Sequence, residues 1–146
     1  MHRALIAHGL SAESFTLLSE GVLVDSEASK AFLKLSKRAA KAGFDMRIAS
    51  AFRSYYRQTR IINEKWLGQR VVLNDQGDSL DRSVLTDAQW LDAILRFSAL
   101  PGTSRHHWGT DLDLWDAAAV DPDYTLSLTG AEYGPGGVFE EMSQWL

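Results

Sequence analysis

The amino-acid sequence predicts an α+β fold. Two observations support that class. Helical and strand-like patterns follow one another in the order helix, strand, helix, loop, helix, loop, strand, helix. The chain of 146 residues, with 45% hydrophobic and 23% charged residues, has the composition of a globular protein and the length of a single domain.

An amphipathic helix over residues 26–43 is the first clear element, since residues 1–20 show no pattern that predicts one. Apolar residues recur on one helical face, basic residues lie on the other, and Gly43 is a typical helix stop. The residues expected to be buried are Ala28, Ala31, Phe32, Leu35 and Ala39.

A short strand and a second helix follow. Met46 and Ile48 alternate with polar residues, which predicts a strand over residues 46–51. Ser54 is a typical N-cap for a helix that ends at Gly68.

A long loop, residues 68–85, precedes the third helix. It is rich in Asn, Asp, Gly and Ser, contains a possible small hairpin at residues 71–73, and is long enough to suggest a functional role. Thr86 then caps a helix that ends at residues 101–102. The residues expected to be buried in this helix are Trp90, Leu91, Ile94, Leu95 and Phe97.

The last part of the chain carries a second strand and a final helix. The segment DLDLW, residues 111–115, alternates so that its leucines face a core and its aspartates and tryptophan face a polar site. Residues 103–110 are predicted to form a loop and residues 117–131 to be irregular, and a helix begins within residues 138–146.

Composition excludes several classes of protein. A net charge of −4 argues against a nucleic-acid-binding protein, which usually shows a basic surface. The chain has no cysteine, so any metal site must use histidine, carboxylate or carbonyl ligands. No apolar run is long enough for a membrane span, and the N-terminus does not resemble a signal peptide.

Two histidines and three aspartates crowd the segment SRHHWGTDLDLWD, residues 104–116. His106 on a loop and Asp113 on the following strand are candidate zinc ligands, because catalytic zinc sites use such side chains plus a water. The alternatives are that these residues serve only the loop and its backbone, or that Asp111 and Asp113 hold Mg²⁺.

The segment FRSYYRQ carries two further candidates at the end of the first strand. The Arg53 guanidinium could hold a carboxylate or stabilise an oxyanion, or form a surface ion pair. The Gln58 amide could bind a peptide-like substrate or be a solvated helix residue.

Together these two segments resemble a known family. SRHHWGTDLD resembles the Ser-x-His-x-x-Gly-x-Ala-x-Asp motif, and FRSYYRQ the Arg-Ser-Tyr-x-x-Gln segment, of the zinc D-Ala-D-Ala carboxypeptidases and dipeptidases of the VanY, VanX and LD-carboxypeptidase types. The resemblance covers residues 25–116. It implies a small antiparallel sheet flanked by helices, a fold shared with the hedgehog signalling domain.

The resemblance also implies roles for individual residues. His106 and Asp113 would be zinc ligands, Ser104 would contact the substrate peptide, and Gln58 would line the pocket. Arg53 would stabilise the oxyanion of the tetrahedral intermediate or hold a substrate carboxylate.

The C-terminal part departs from the family pattern. The family closes its site with a Glu-x-x-His or Glu-x-Trp-His segment, but no histidine follows His107 here, and His2 or His8 would be an improbable substitute. We therefore expect a fragment that lacks the closing strands, the third zinc ligand and the catalytic glutamate. The alternative is a degenerate relative.

The resulting expectation is a zinc-dependent carboxypeptidase acting on peptidoglycan stem peptides, with D-Ala-D-Ala, L,D or endopeptidase specificity left open. The competing expectation is a cell-wall peptide-binding relative with an incomplete metal site. The substrate class indicates the cell envelope, and a genuine lack of a signal peptide would indicate the cytoplasm. The sequence does not indicate an oligomeric state.

Overall fold

The computed structural model describes residues 2–12, 14–18 and 21–146, without the side chains of residues 2 and 3. The helices are α1 (His2–Ala7), α2 (Ser26–Lys41), α3 (Tyr55–Trp66), α4 (Asp87–Arg96), α5 (Gly130–Tyr133) and α6 (Glu140–Trp145). The strands are β1 (Phe15–Leu17), β2 (Leu23–Asp25), β3 (Met46–Ser50) and β4 (Asp113–Asp116). This α+β architecture confirms the predicted fold class.

The described residues form two compact units, each built from two chain segments. The first unit comprises the described part of residues 1–12 with residues 53–108, and the second comprises the described part of residues 13–52 with residues 109–146. The single domain expected over residues 1–146 stays a prediction. Within the described residues, no helix combines the length and hydrophobicity needed to cross a membrane.

The second unit contains both antiparallel sheets. Strand β1 pairs with β2, and β3 pairs with β4, with Met46 opposite Asp116 and Ser50 opposite Asp113. Buried Asp116 accepts hydrogen bonds from the backbone N–H of Asp45 at 2.8 Å and of Ala118 at 3.1 Å. Its carboxylate therefore fixes the end of the β3–β4 pair.

Helix α2 confirms the predicted element and corrects one of its buried positions. Asp25 is its N-cap, and Phe32 and Ala39 are buried in a core shared with residues of β2, β3 and α6. Ala31, which was expected to be buried, is exposed. Ser29 is buried instead. Its hydroxyl can be buried because it donates a hydrogen bond to the Ser26 carbonyl at 2.9 Å and is therefore satisfied.

The first unit is built around α3 and α4. Ser54 caps α3 and Thr86 caps α4 with a capping box, as predicted. Trp90 and Ile94 are buried with Val72 in a separate apolar cluster. The other three residues expected to be buried here are instead 38%, 37% and 52% exposed: Leu91, Leu95 and Phe97. A ten-residue helix that packs along one stripe buries positions i and i+4 and leaves its flanks in solvent.

The connecting segments follow the sequence prediction with added short elements. The long loop carries an antiparallel bridge between Leu73 and Ser79, near the expected hairpin, and a 3₁₀ turn at Arg82–Val84. The loop predicted for residues 103–110 contains a 3₁₀ turn, Arg105–Trp108, and the expected irregular segment contains another at Ala117–Ala119.

Glu132 organises the segment before the C-terminal helix. Its buried carboxylate accepts hydrogen bonds from the Tyr124 hydroxyl at 2.8 Å and from the backbone N–H groups of Ser127 at 3.0 Å and Thr129 at 2.9 Å. Burial by itself raises the pKa of Glu132, but these hydrogen bonds and one from Leu128 outweigh burial and hold the pKa below its usual value.

We expect Trp90→Ala to lower the free energy of unfolding by about 3–5 kcal/mol, because it removes the largest fully buried side chain. Urea denaturation measures this loss. Leu91→Ala, at the next position of the same helix and 38% exposed, is the control and should cost far less. Equal losses in the two variants would contradict the assignment of this core.

Stability should also depend on pH through Glu132. Because its pKa is lower in the folded state, its contribution is complete above the unfolded pKa of about 4.3 and is lost as pH falls through the folded pKa. Glu132→Gln should therefore be less stable than the parent at pH 7, by about 1–3 kcal/mol, with the gap closing in acid. Denaturation from pH 7 to 3 tests this, with exposed Glu141→Gln as control. A gap independent of pH would disprove it.

Candidate functional site

The two motif segments meet in the first unit, although about fifty residues separate them in the chain. The backbone N–H of Arg53 donates to the carbonyl of His106 at 3.0 Å. Arg53 is half-buried directly before the N-cap of α3, and half-buried His106 lies in the 3₁₀ turn Arg105–Trp108. The backbone between the two segments therefore places a guanidinium and an imidazole on neighbouring stretches of chain.

His107 ties these segments together from inside. Its ring is fully buried, Nε2 accepts from the Gly102 N–H at 3.0 Å, and Nδ1 bonds the Arg53 carbonyl. An imidazole nitrogen that accepts from an N–H carries no proton, so this network assigns the neutral tautomer protonated at Nδ1. His107 is therefore a structural residue, whereas its neighbour His106 is half-buried in the same turn.

Gly9 allows this close packing. Its φ is +73°, and a Cβ there would lie 2.4 Å from His107 Nδ1 and 2.8 Å from the Tyr55 nitrogen. The Gly9 carbonyl accepts from the Tyr55 N–H at 2.9 Å. Only glycine fits this position, which brings the end of α1 against the start of α3.

Gln58 and Ser104 are both buried. Gln58 has no exposed surface, and its side-chain oxygen accepts from Arg53 Nη1 at 3.0 Å while its nitrogen donates to the Ala99 carbonyl at 2.6 Å. Ser104 is 4% exposed, and its carbonyl accepts from the His107 N–H at 3.0 Å. The expected contacts of Gln58 and Ser104 with substrate stay predictions.

Positive charge accumulates near Arg53. Burial lowers the pKa of Lys65, and the charges of Arg70 and Arg53 lower it further. The Lys65 ammonium donates to the Ser98 hydroxyl at 2.8 Å. This environment favours an anionic group of a ligand over a cationic one.

Asp113 belongs to the second unit, where it begins β4. Leu112 and Leu114 pack against the second unit's core, as predicted from the alternation. The negative charge of Asp113 reaches Tyr133, whose pKa rises to about 12, first through burial and then through the charges of Glu132 and Asp113. The Tyr133 hydroxyl donates to the Leu114 carbonyl at 2.9 Å.

Gly109 shapes the chain between the two predicted ligands. Its φ is +68°, and a Cβ there would lie 3.0 Å from both the Asp25 nitrogen and the Phe15 ring. Its carbonyl accepts from the Asp25 N–H at 2.9 Å. The sequence identified Gly109 as part of the motif, and the structure supplies its physical requirement, a left-handed backbone in close contact.

The predicted metal ligands are His106 in the first unit and Asp113 in the second. An imidazole and a carboxylate are ligands that zinc prefers, so the chemistry of both donors fits the metal. The described residues nevertheless contain no group of three histidines or acids that could hold a metal ion. His107 is no substitute because both its ring nitrogens are bonded, and His8 Nδ1 bonds the Gly102 carbonyl at 2.9 Å. The side chain of His2 lies outside the described residues.

The long loop of the first unit lines a cavity of about 330 Å³. The Arg82 guanidinium stacks over Trp66 at 5.5 Å and Trp90 at 5.8 Å, and pairs with Asp87. The residues around the cavity come from positions 68–72 and 79–82, together with Trp90. The functional role expected for this loop stays a prediction.

Sequence reasoning missed His107 and Gly9. The adjacent histidines carried a usable signal, because neighbouring residues in a 3₁₀ turn, with three residues per turn, point in directions about 120° apart. Gly9 gave no such signal, since its requirement comes from a histidine about one hundred residues away.

Comparison with known proteins gives a family match over most of the chain. Residues 21–144 match the family model described as VanY, D-alanyl-D-alanine carboxypeptidase. Two proteins of Haemophilus influenzae, both described as uncharacterized, are similar to this chain. One is 44% identical over 85 residues, which is 58% of each chain. The other is 40% identical over 47 residues, or 32% of this chain and 36% of the relative.

Two solved structures share the fold. One is a mutant of the vancomycin resistance D,D-pentapeptidase VanY in complex with Zn(II), 25% identical with a TM-score of 0.57, covering 74% of this chain and 56% of that one. The other, VanYB in complex with D-Alanine-D-Alanine, is 26% identical with a TM-score of 0.56, covering 71% and 51%. The chain thus spans little more than half of each of these solved chains.

We expect His107→Phe to destabilise the first unit by about 1–3 kcal/mol for each backbone group that loses its ring partner, the Arg53 carbonyl and the Gly102 N–H. Urea denaturation in the presence of a chelator measures this. The control is His106→Phe, the same substitution at the half-buried neighbour. If both variants lose equal stability, the structural role of His107 is wrong.

Proposed function

The chain belongs to the VanY D-alanyl-D-alanine carboxypeptidase family, and from that membership we propose that it is a zinc-dependent carboxypeptidase. Its substrate would be the D-amino-acid end of peptidoglycan stem peptides. Two solved relatives support the proposal, since one was solved in complex with Zn(II) and the other in complex with D-Alanine-D-Alanine.

The observation that carries the proposal is the backbone hydrogen bond between Arg53 and His106, at 3.0 Å. A site shared by two motifs requires that the motifs meet, and this bond joins them in one unit. The buried ring of His107 reinforces the same junction through the Arg53 carbonyl. If the two segments matched the family motifs only by chance, there would be no reason for them to lie next to each other in the fold.

His106 and Asp113 would hold the metal in this proposal. When bound, zinc supplies an acidified water and polarises the scissile carbonyl. Catalytic zinc sites use three protein ligands, of which His106 and Asp113 would supply two.

Arg53 would act directly on the substrate. Its charge is permanent, and its side chain is held at Nη1 by Gln58, so it provides a fixed cation for an oxyanion or a terminal carboxylate. The nearby charge of Lys65 adds to the positive field around it. Ser104, directly before the turn that carries His106, would contact the peptide.

The test uses the full product of the reading frame and peptides ending in D-Ala-D-Ala or in a single D-Ala after an L-centre. We expect zinc-dependent release of D-alanine, measured by mass spectrometry, and the preferred peptide assigns the specificity. Arg53→Ala should keep zinc and lose about 10²–10³-fold in kcat. His106→Ala should lose the zinc itself, measured by elemental analysis.

Exposed Arg57→Ala, on the first turn of α3, is the matched control and should keep both zinc and activity. Binding of the peptide without cleavage by the zinc-loaded protein would contradict the carboxypeptidase proposal and favour a peptide-binding function. Unchanged zinc in His106→Ala would contradict the ligand assignment.

A further inference from the structure

The position of Gln58 differs from the one expected for a residue that contacts the substrate. It is on the first turn of α3 and has no exposed surface. Both ends of its amide are already bonded inside the first unit, the oxygen to Arg53 Nη1 at 3.0 Å and the nitrogen to the Ala99 carbonyl at 2.6 Å. A residue so enclosed acts through its neighbours.

The chemistry of this position requires an amide. The group facing the guanidinium must accept a hydrogen bond, and the group facing the Ala99 carbonyl must donate one. Glutamine meets both demands at once, whereas a glutamate cannot donate when ionised and a methionine of similar length can do neither. The two partners also fix which end of the amide is oxygen.

The helix makes this contact rigid. Ser54 caps α3 through the Arg57 N–H at 3.2 Å, and the Gln58 N–H donates to the Ser54 carbonyl at 3.0 Å, which closes the first turn. Arg53 directly precedes the cap, and a side chain of its length has several rotatable bonds. Ordering a long side chain costs conformational entropy, and the bond to Gln58 meets part of that cost during folding instead of during binding.

We infer that Gln58 is a positioning residue that holds the Arg53 guanidinium in place for the reaction. This inference rests on the proposed function, in which Arg53 contacts the substrate. Gln58 orients the guanidinium by accepting a hydrogen bond from Nη1. The other end of its amide donates to the carbonyl of residue 99, which precedes the SRHHWG segment. Substrate recognition then depends on a side chain that the substrate does not reach.

The experiment compares Gln58→Met, Gln58→Glu and a control, Thr59→Val. The control removes a neighbouring side-chain hydrogen bond of α3, from Thr59 to the Tyr55 carbonyl at 3.0 Å, without touching Arg53. The first measurement needs no activity. When rotation of a guanidinium is restricted, NMR resolves its Nη protons as separate resonances. The Arg53 resonance is assigned by its loss in Arg53→Lys.

We expect a resolved Arg53 Nη resonance in the parent and in Thr59→Val, its loss in Gln58→Met, and its return in Gln58→Glu, which keeps an acceptor. In the peptide assay, Gln58→Met should lower kcat by about 10- to 100-fold with zinc content unchanged. Gln58→Glu should recover part of that loss, and Thr59→Val should keep the parent kcat.

A resonance that survives in Gln58→Met, or a lowered thermal midpoint with an unchanged kcat, would overturn the positioning role. If Gln58→Met does not fold, Gln58→Glu decides, because a lost resonance there would also overturn it. A parent that shows the ordered guanidinium but cleaves no peptide would overturn the proposed function alone, since the NMR result stands without turnover.

Discussion

The buried imidazole of His107 is the constraint on which the first unit depends. One ring connects the carbonyl of Arg53 with the N–H of Gly102, and Gly9 packs so closely against it that no side chain fits there. Three stretches far apart in sequence therefore share one neutral side chain. Because Nδ1 must donate to a carbonyl and Nε2 must accept from an N–H, only one tautomer of the ring fits both partners.

The same constraint explains how the motif segments come to lie together. His107 holds Arg53 by its carbonyl, and the next hydrogen bond joins the Arg53 N–H to the carbonyl of His106. The side chain of Arg53 is then fixed by Gln58, which itself is bonded to residue 99. The carbonyl of the proposed catalytic arginine is thus anchored by fully buried His107, and its guanidinium by fully buried Gln58.

In the second unit, buried carboxylates have the corresponding structural function. Asp116 binds the N–H groups of residues 45 and 118, and Glu132 binds those of residues 127 and 129. The burial of each carboxylate costs little because backbone N–H donors satisfy its oxygens. Asp113 differs from both, since it is only half-buried, at the start of β4.

The sequence did not indicate α1, β1, β2 or α5, but it determined the other helices and strands, the α+β class and the pair of motifs. Local signals sufficed there, because caps such as Ser54 and Thr86 and the alternation around Leu112 and Leu114 act within a few residues. It correctly predicted that Trp90 and Ile94 are buried, but it also assigned three exposed neighbours to the core. Periodicity identifies the buried face of a helix but not how wide that face is.

Only the tertiary structure decided the functions of His107, Gly9 and Gln58. The motif assigns a role to His106 but none to His107, whose partners at positions 53 and 102 are known only once the chain has folded. The physical reason is that a hydrogen bond requires a partner at about 3 Å in a given direction. Sequence spacing constrains such a partner within a helix or a strand, but not between segments that folding brings together.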